Sequence, residues 1–180
     1  MPPLPVATPV EKYSRRGIST FLWVPTIADD VGLLPTRAEL DSSTNLSAAI
    51  AAISGFTLEN QSIETPNMAE DFDSSIPGSD KAEDSSLTLY EDKTTDTMEQ
   101  LLQKGTTGNL VVLRKGDIPQ NKSMDVFPLR VGSQSPTFTA DNEAAKLEVK
   151  FTITRRPAQG LAVPAASGGG APEGVKAVAK

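Results

Sequence analysis

Glu70, Asp71 and Asp73 are the densest set of side chains in this chain that could hold a metal ion or share a proton. Hard carboxylate oxygens suit calcium, but a helix-loop-helix calcium site demands ligands at fixed offsets, a central glycine and a closing glutamate. That spacing is missing, and the three residues read as an acidic surface. Gly105-Thr-Thr-Gly108 is the second candidate, because glycine-rich turns let backbone amides approach a phosphate. It falls between a predicted helix and a predicted strand, where the turn itself needs glycine, so it reads as a connection. No Gly-x-Ser-x-Gly, Gly-x-Gly-x-x-Gly or Walker sequence occurs. Arg155-Arg156 closes the last predicted strand; such pairs are solvated or meet the acids of a neighbour, here with the option of a salt bridge across subunits.

The chain has neither histidine nor cysteine. The commonest general base and metal ligand goes with the first, and disulfide, thiolate and redox chemistry with the second. From the carboxylates, lysines and hydroxyls that remain, no base, nucleophile and orienting group can be assembled. The expectation is a protein that is not an enzyme and uses no cofactor and no metal. Residues 1–154 hold 13 basic and 22 acidic residues, a balance of −9 within a chain of net charge −6. Nucleic-acid binding sets lysine and arginine against phosphates, and this body offers the opposite sign. No apolar run approaches the roughly 20 residues of a membrane span, and the N-terminal MPPLPVATPVEKYSRRG lacks the charged start and apolar middle of a signal peptide. Synthesis in a cytoplasm with no membrane partner is the expected reading.

The elements that position these groups are mostly strands. Ser85, Leu87 and Leu89 alternate with Ser86, Thr88 and Tyr90, which predicts a strand with one face on a core. Asp96 with Glu99 suggests a capping box, Met98, Leu101 and Leu102 share a helical face, and Lys104 then Gly105 mark the helix end. Asn109 to Leu113 lacks alternation, so both faces of that strand should be covered. Ser19–Val24, Ser54–Ile63, Ser123–Val131 and Ala145–Thr154 are the other predicted strands, and Pro128 argues that its strand is an edge or bulged. In the last strand Leu147, Val149, Phe151 and Ile153 face one way, and Lys146, Glu148, Lys150, Thr152 and Thr154 the other. Leu46, Ala49, Ile50 and Ile53 fit one face of a short helix before Gly55, and residues 26–44 show no clear period.

The organisation expected from this is a Pro-rich N-terminal arm over residues 1–17, a mainly β (α+β) domain of about six strands and one helix over 18–157, and a flexible Ala/Gly/Pro-rich tail over 158–180. Within the domain, residues 63–84 form a long loop; from Glu64 to Asp84 it carries seven acidic residues against Lys81 alone. A structureless loop of that length in a compact domain is uncommon and tends to be functional or disordered. Unpaired sheet edges, two arms and a long loop suit assembly with further copies better than turnover.

The order of Phe21-Leu-Trp-Val-Pro25, Ile53-Ser-Gly-Phe-Thr57, Thr65-Pro66, Ile76-Pro-Gly78, Asp84-Ser-Ser-Leu-Thr-Leu-Tyr90, Lys104-Gly-Thr-Thr-Gly108 and Met124-Asp-Val-Phe-Pro128 resembles the major tail protein, or tail tube protein, of long-tailed bacteriophages with non-contractile tails. The likeness runs from roughly Ser19 to Pro157. It implies a β-sandwich or partly open barrel with a flanking helix, arranged as hexameric rings stacked into a tube through which double-stranded DNA passes without specific binding. It also implies a place in the virion, with the tape measure, tail terminator and tail tip proteins as partners. Carried onto this chain, the loop would be the stacking loop that reaches the next ring, with Thr65, Pro66, Glu70, Asp71, Phe72, Asp73, Ile76, Pro77 and Gly78 as its residues. The polar face of Lys146, Glu148, Lys150, Thr152 and Thr154 would line the lumen or the outer wall. Two rivals stand beside this reading: a decoration or connector subunit of a virion, and a small β-sandwich module that binds carbohydrate or peptide, for which the 5% aromatic content supplies few side chains.

Overall fold

The computed structural model describes residues 10–69 and 71–166. In chain order the elements are β1 (Thr20–Val24), α1 (Arg37–Asp41), β2 (Thr44–Asn45), β3 (Ile50–Ser54), β4 (Leu58–Asn60), β5 (Ile63–Thr65), β6 (Ser74–Ile76), β7 (Asp80–Ala82), β8 (Ser85–Tyr90), α2 (Thr97–Leu101), β9 (Thr107–Leu113), β10 (Lys122–Thr137), β11 (Lys146–Ile153) and β12 (Ala158–Ala162). The fold is mainly β. One antiparallel sheet runs β2-β1-β9-β10-β11-β8-β3, with β12 also on β10, and two short ladders pair β4 with β7 and β5 with β6.

The large sheet curls over on itself. Trp23 on β1 and Phe151 on β11 lie three strands apart in the ladder, about 14 Å in a flat sheet at ~4.8 Å per strand, yet their ring centroids are 6.1 Å apart. The concave side holds the main core, with Trp23, Leu46, Leu87, Leu89, Leu110, Phe127, Leu129, Val149 and Phe151 among its buried members, and Leu102 closes it from the end of α2. Residues 46–49 alone separate β2 from β3, the two ends of the strand order, so the curl brings these edges together without pairing them. The sheet is curled and stays open, not closed into a barrel.

A second cluster coats the convex side of β1, β9 and β10: Leu22, Val24, Val111, Leu113, Met124 and Val126 pack under Ile27, Leu33 and Leu40, with Val163 from the chain after β12. β9 is thus buried on both faces, as its unbroken apolar run requires. α1 begins at a capping box: Thr36 caps the Glu39 amide, and Glu39 Oε2 accepts from the Thr36 amide at 2.6 Å.

Several sequence expectations change here. Leu46–Ile53 is a turn and then an edge strand, with the Ala49 amide bonded to the Leu46 carbonyl and β3 paired to β8. A helix there would leave the β8 edge bare, and Gly55 and Phe56, both at positive φ, would stop it in any case. Those two residues also break the expected strand 54–63, turning Phe56 edge-on to Phe127 in the core. Asp96 forms no cap bond; its carboxylate accepts from Gln100 Nε2 instead. Pro128 sits on a central strand that has β9 on one side and β11 followed by β12 on the other. Its carbonyl accepts from the Thr154 amide, just past the end of β11, so its missing N–H faces the junction where no ladder donor is needed. Residues 158–163 are no tail: β12 pairs with β10, and Val163 is buried. Residues 1–9, Glu70 and 167–180, with the expectations placed on them, lie outside the described residues.

Candidate assembly surfaces

The acidic segment is a two-stage β-ribbon. β3 and β8 are adjacent antiparallel strands, and the pairs Ser54↔Ser86, Leu58↔Ala82 and Asn60↔Asp80 keep one register. After a one-residue shift the ladder resumes from Ile63↔Ile76 to Thr65↔Ser74. Asn60 holds the shift in place, its side chain accepting from the Gly78 amide at 3.2 Å and donating to the Gly78 carbonyl at 3.0 Å. Ile76-Pro-Gly78 is therefore a jog inside a ribbon, and residues 58–82 are one long hairpin arm off the β3–β8 edge.

Each stage is locked by side chains as well as backbone. Thr65 Oγ1 lies 2.8 Å from Ser74 Oγ at the outer end, and Thr57 Oγ1 donates to Glu83 Oε2 at 2.7 Å at the root. Arg156 Nη2 stands 3.2 Å from Asp80 Oδ2, and Arg155 pairs with Asp30, so both arginines find acids within the chain. No described residue of the arm belongs to either core cluster. Ile63 and Ile76 face each other across the ladder half exposed, with exposed Pro77 at the jog, and beyond Pro66 the tip carries Met68 and Phe72, 106% and 74% exposed, beside exposed Asp71 and Asp73. The sequence marked the acids and Phe72 but not Met68 and Ile63, whose exposure follows from the arm standing outside both core clusters. Among the described residues no group of three acidic side chains converges as a metal site.

The polar side of β11 is the second surface. Leu147, Val149 and Phe151 are buried while Lys150 and Thr152 are exposed and Lys146 and Glu148 half exposed. Cross-strand neighbours extend this band: Arg130 opposite Thr152, Ser86 opposite Lys150, Thr88 opposite Glu148 and Tyr90 opposite Lys146. Lys146 Nζ donates to Glu143 Oε2 at 2.8 Å; that bond lifts the ammonium's pKa above its usual range and holds the carboxyl below its own. Lys150 lies 3.9 Å from Glu148. The band is mixed in charge. Thr154 lies past the strand, its hydroxyl 3.4 Å from the Pro128 carbonyl.

Among the described residues, two unpaired sheet edges, an arm that stands outside both core clusters with exposed apolar side chains, and a bare polar strand face describe a part of something larger. The family model for phage tail tube protein matches residues 6–166. This chain belongs to the phage tail tube protein family. As a phage tail tube protein it is a structural subunit of the virion's tail. No curated protein matches it in sequence. Among solved structures it is similar to a chain of the anti-feeding prophage baseplate, 6-fold symmetrised (TM-score 0.54, 11% identity, covering 86% of this chain and 98% of that one). It is also similar to a chain of the tube-terminating cap of the anti-feeding prophage (0.52, 14%, 86% and 95%). A third is in the tail of the empty GTA particle with C6 symmetry (0.50, 11%, 83% and 98%). At such identities these likenesses show the shared fold.

Proposed function

We propose that this tail tube protein forms hexameric rings that stack into the hollow tube of a long, non-contractile phage tail, and that the tube conducts the genome into the host. The observation that carries the proposal is the hairpin arm: an ordered ribbon outside both core clusters that presents Met68, Phe72, Ile63 and Ile76 to solvent. In the proposal the arm, from Thr65 and Pro66 through Asp71 and Asp73 to Ile76, Pro77 and Gly78, is the stacking element that reaches the adjacent ring. The sheet edges left open by the curl are covered by neighbouring copies, which removes them as sites of indiscriminate pairing.

The polar band of Lys146, Glu148, Lys150 and Thr152 is the candidate lumen wall, with Thr154 at its margin. Fast passage of DNA requires weak affinity along the whole bore, because each phosphate neutralised by a free cation adds favourable counterion release. A wall that sets glutamates among its lysines and Arg130 holds DNA poorly without being uniformly repulsive. This revises the simple acidic lining that the net charge of the body suggests. The terminal rings would meet tape measure, terminator and tip proteins, and the subunit would have no enzymatic activity. Negative-stain microscopy of the concentrated, purified chain tests this: hollow rods or stacked rings are expected, and a persistent monomer or single ring overturns it.

A further inference from the structure

The gap between the β1–β2 side and the β3 edge is a cleft of about 910 Å³. Its floor includes Phe21, Ile50 and Phe56, and its mouth carries Arg15, Arg16 and Arg114. The backbone that carries these cations is held in place. The Arg15 carbonyl accepts from the amides of Ile18 and Ser19 at 3.1 and 2.9 Å, which fixes the turn that carries both arginines. Arg114 is anchored by Ser19 Oγ, which donates to its carbonyl, and by Asp125, whose Oδ2 lies 2.9 Å from Nε while Oδ1 accepts from the Gly160 amide. Asp125 offsets one of the three positive charges, and the mouth stays basic.

The same molecule carries the complement. The tip of the hairpin arm sets exposed apolar side chains, Met68 and Phe72, among the carboxylates of Asp71 and Asp73. We propose that the cleft is the receptor for the arm tip of a second copy: Phe72 and Met68 enter against Phe21, Ile50 and Phe56, while Asp71 and Asp73 meet Arg15, Arg16 and Arg114. The contact is head-to-tail, since donor and receptor are different surfaces of one chain, and such contacts propagate rather than close as pairs. Guanidinium and carboxylate suit each other by forked hydrogen bonding, and an aromatic anchor in a cleft with a charged rim is the usual anatomy of a specific contact. This rests on the reading of the arm as the stacking element, and names what it stacks on.

The test uses the full chain. Charge reversal of the tip (D71K with D73K) or of the mouth (R15E with R16E) should each raise the protein concentration needed for rods by about tenfold or more. Mixing the two variants should recover most of the lost assembly, because each then meets its complement. Circular dichroism reports that both fold. A second measurement places Phe72 directly: with p-benzoylphenylalanine at position 72 in a mixture of isotopically labelled and unlabelled chains, photo-cross-links should join different chains and land within residues 45–57 or 15–21. Rods that form with cross-links to another surface, or unaffected by R15E/R16E, overturn this inference while leaving the tube. Absence of rods and of intermolecular cross-links overturns the tube reading and this inference with it.

Discussion

Gly108 lies against the indole of Trp23 so closely that a β-carbon on it would stand 2.5 Å from Cζ2 and 2.8 Å from Cε2. The glycine that closes Gly105-Thr-Thr-Gly108 is thus a packing residue: it lets the chain's single tryptophan, 1% exposed, lie flat in the concave core. Gly108→Ala should overpack that site and cost about 1–3 kcal/mol. At this chain length each kcal/mol lowers the melting temperature by roughly 2–4 °C. Thermal unfolding followed by Trp23 fluorescence checks this, and an unchanged melting curve would contradict the packing account.

Elements whose own sequence decides them were legible, and elements decided by a distant partner were not. β8, β9 and β11 declare themselves because their period-two or unbroken apolar patterns match the faces they bury. The helical spacing of Leu46, Ala49, Ile50 and Ile53 misleads because β8 offers a free edge, and pairing along it outweighs local preference. Thr36 and Glu39 spelled a capping box that the missing apolar period around them obscured. β12 is invisible in a run of small residues since what holds it is β10, pairing up to Lys122↔Ala162. At the candidate site the acids and turn residues of the arm could be read, but not that two aligned ladders turn a loop into a ribbon.

The root of the arm offers a clean excision. The Glu83 amide donates to the Thr57 carbonyl at 3.2 Å, so the ends of residues 58–82 already meet. Replacing 58–82 by an Asn-Gly turn should preserve the fold, because no described residue of the segment contributes to either core cluster. The shortened chain should melt within a few degrees of the parent, by the roughly 2–4 °C per kcal/mol scale, yet form no rods by negative stain. Rods of normal length from that chain would refute the role given to the arm.

Acid should weaken the contacts of Glu39 and Asp30. Backbone donation from Thr36, with a second amide bond from Ala28 at 2.7 Å, holds the Glu39 carboxyl below its usual range, and Arg155 does the same for Asp30. A carboxylate whose folded pKa is depressed stabilises the fold above its unfolded value, about 4.3 for glutamate and 3.9 for aspartate, and that contribution disappears as pH falls through the folded value. Stability should therefore hold from neutrality down to about pH 5 and decline below it. Glu39→Gln can still bond the Thr36 amide but does not titrate, so its denaturation midpoint should fall less steeply than the parent's between about pH 5 and pH 3. Parallel slopes would assign the acid response elsewhere.

The orientation of the polar band can be settled by chemistry, because a chain without cysteine accepts one reporter thiol at a time. Lys150 is well exposed on the bare face of β11, while Val31, 97% exposed, lies in the segment that covers the opposite half of the sheet's convex side. Lys150→Cys and Val31→Cys should both react with small and bulky maleimides in the free subunit. Assembled into rods, a thiol at 150 facing the bore should still take a small maleimide through the open ends but resist a bulky polymer-linked one. The thiol at 31 serves as the comparison for access from outside. Equal reaction of position 150 with the bulky reagent before and after assembly would put the β11 band on the outer wall, and the paired lysines would then have no bearing on how DNA passes.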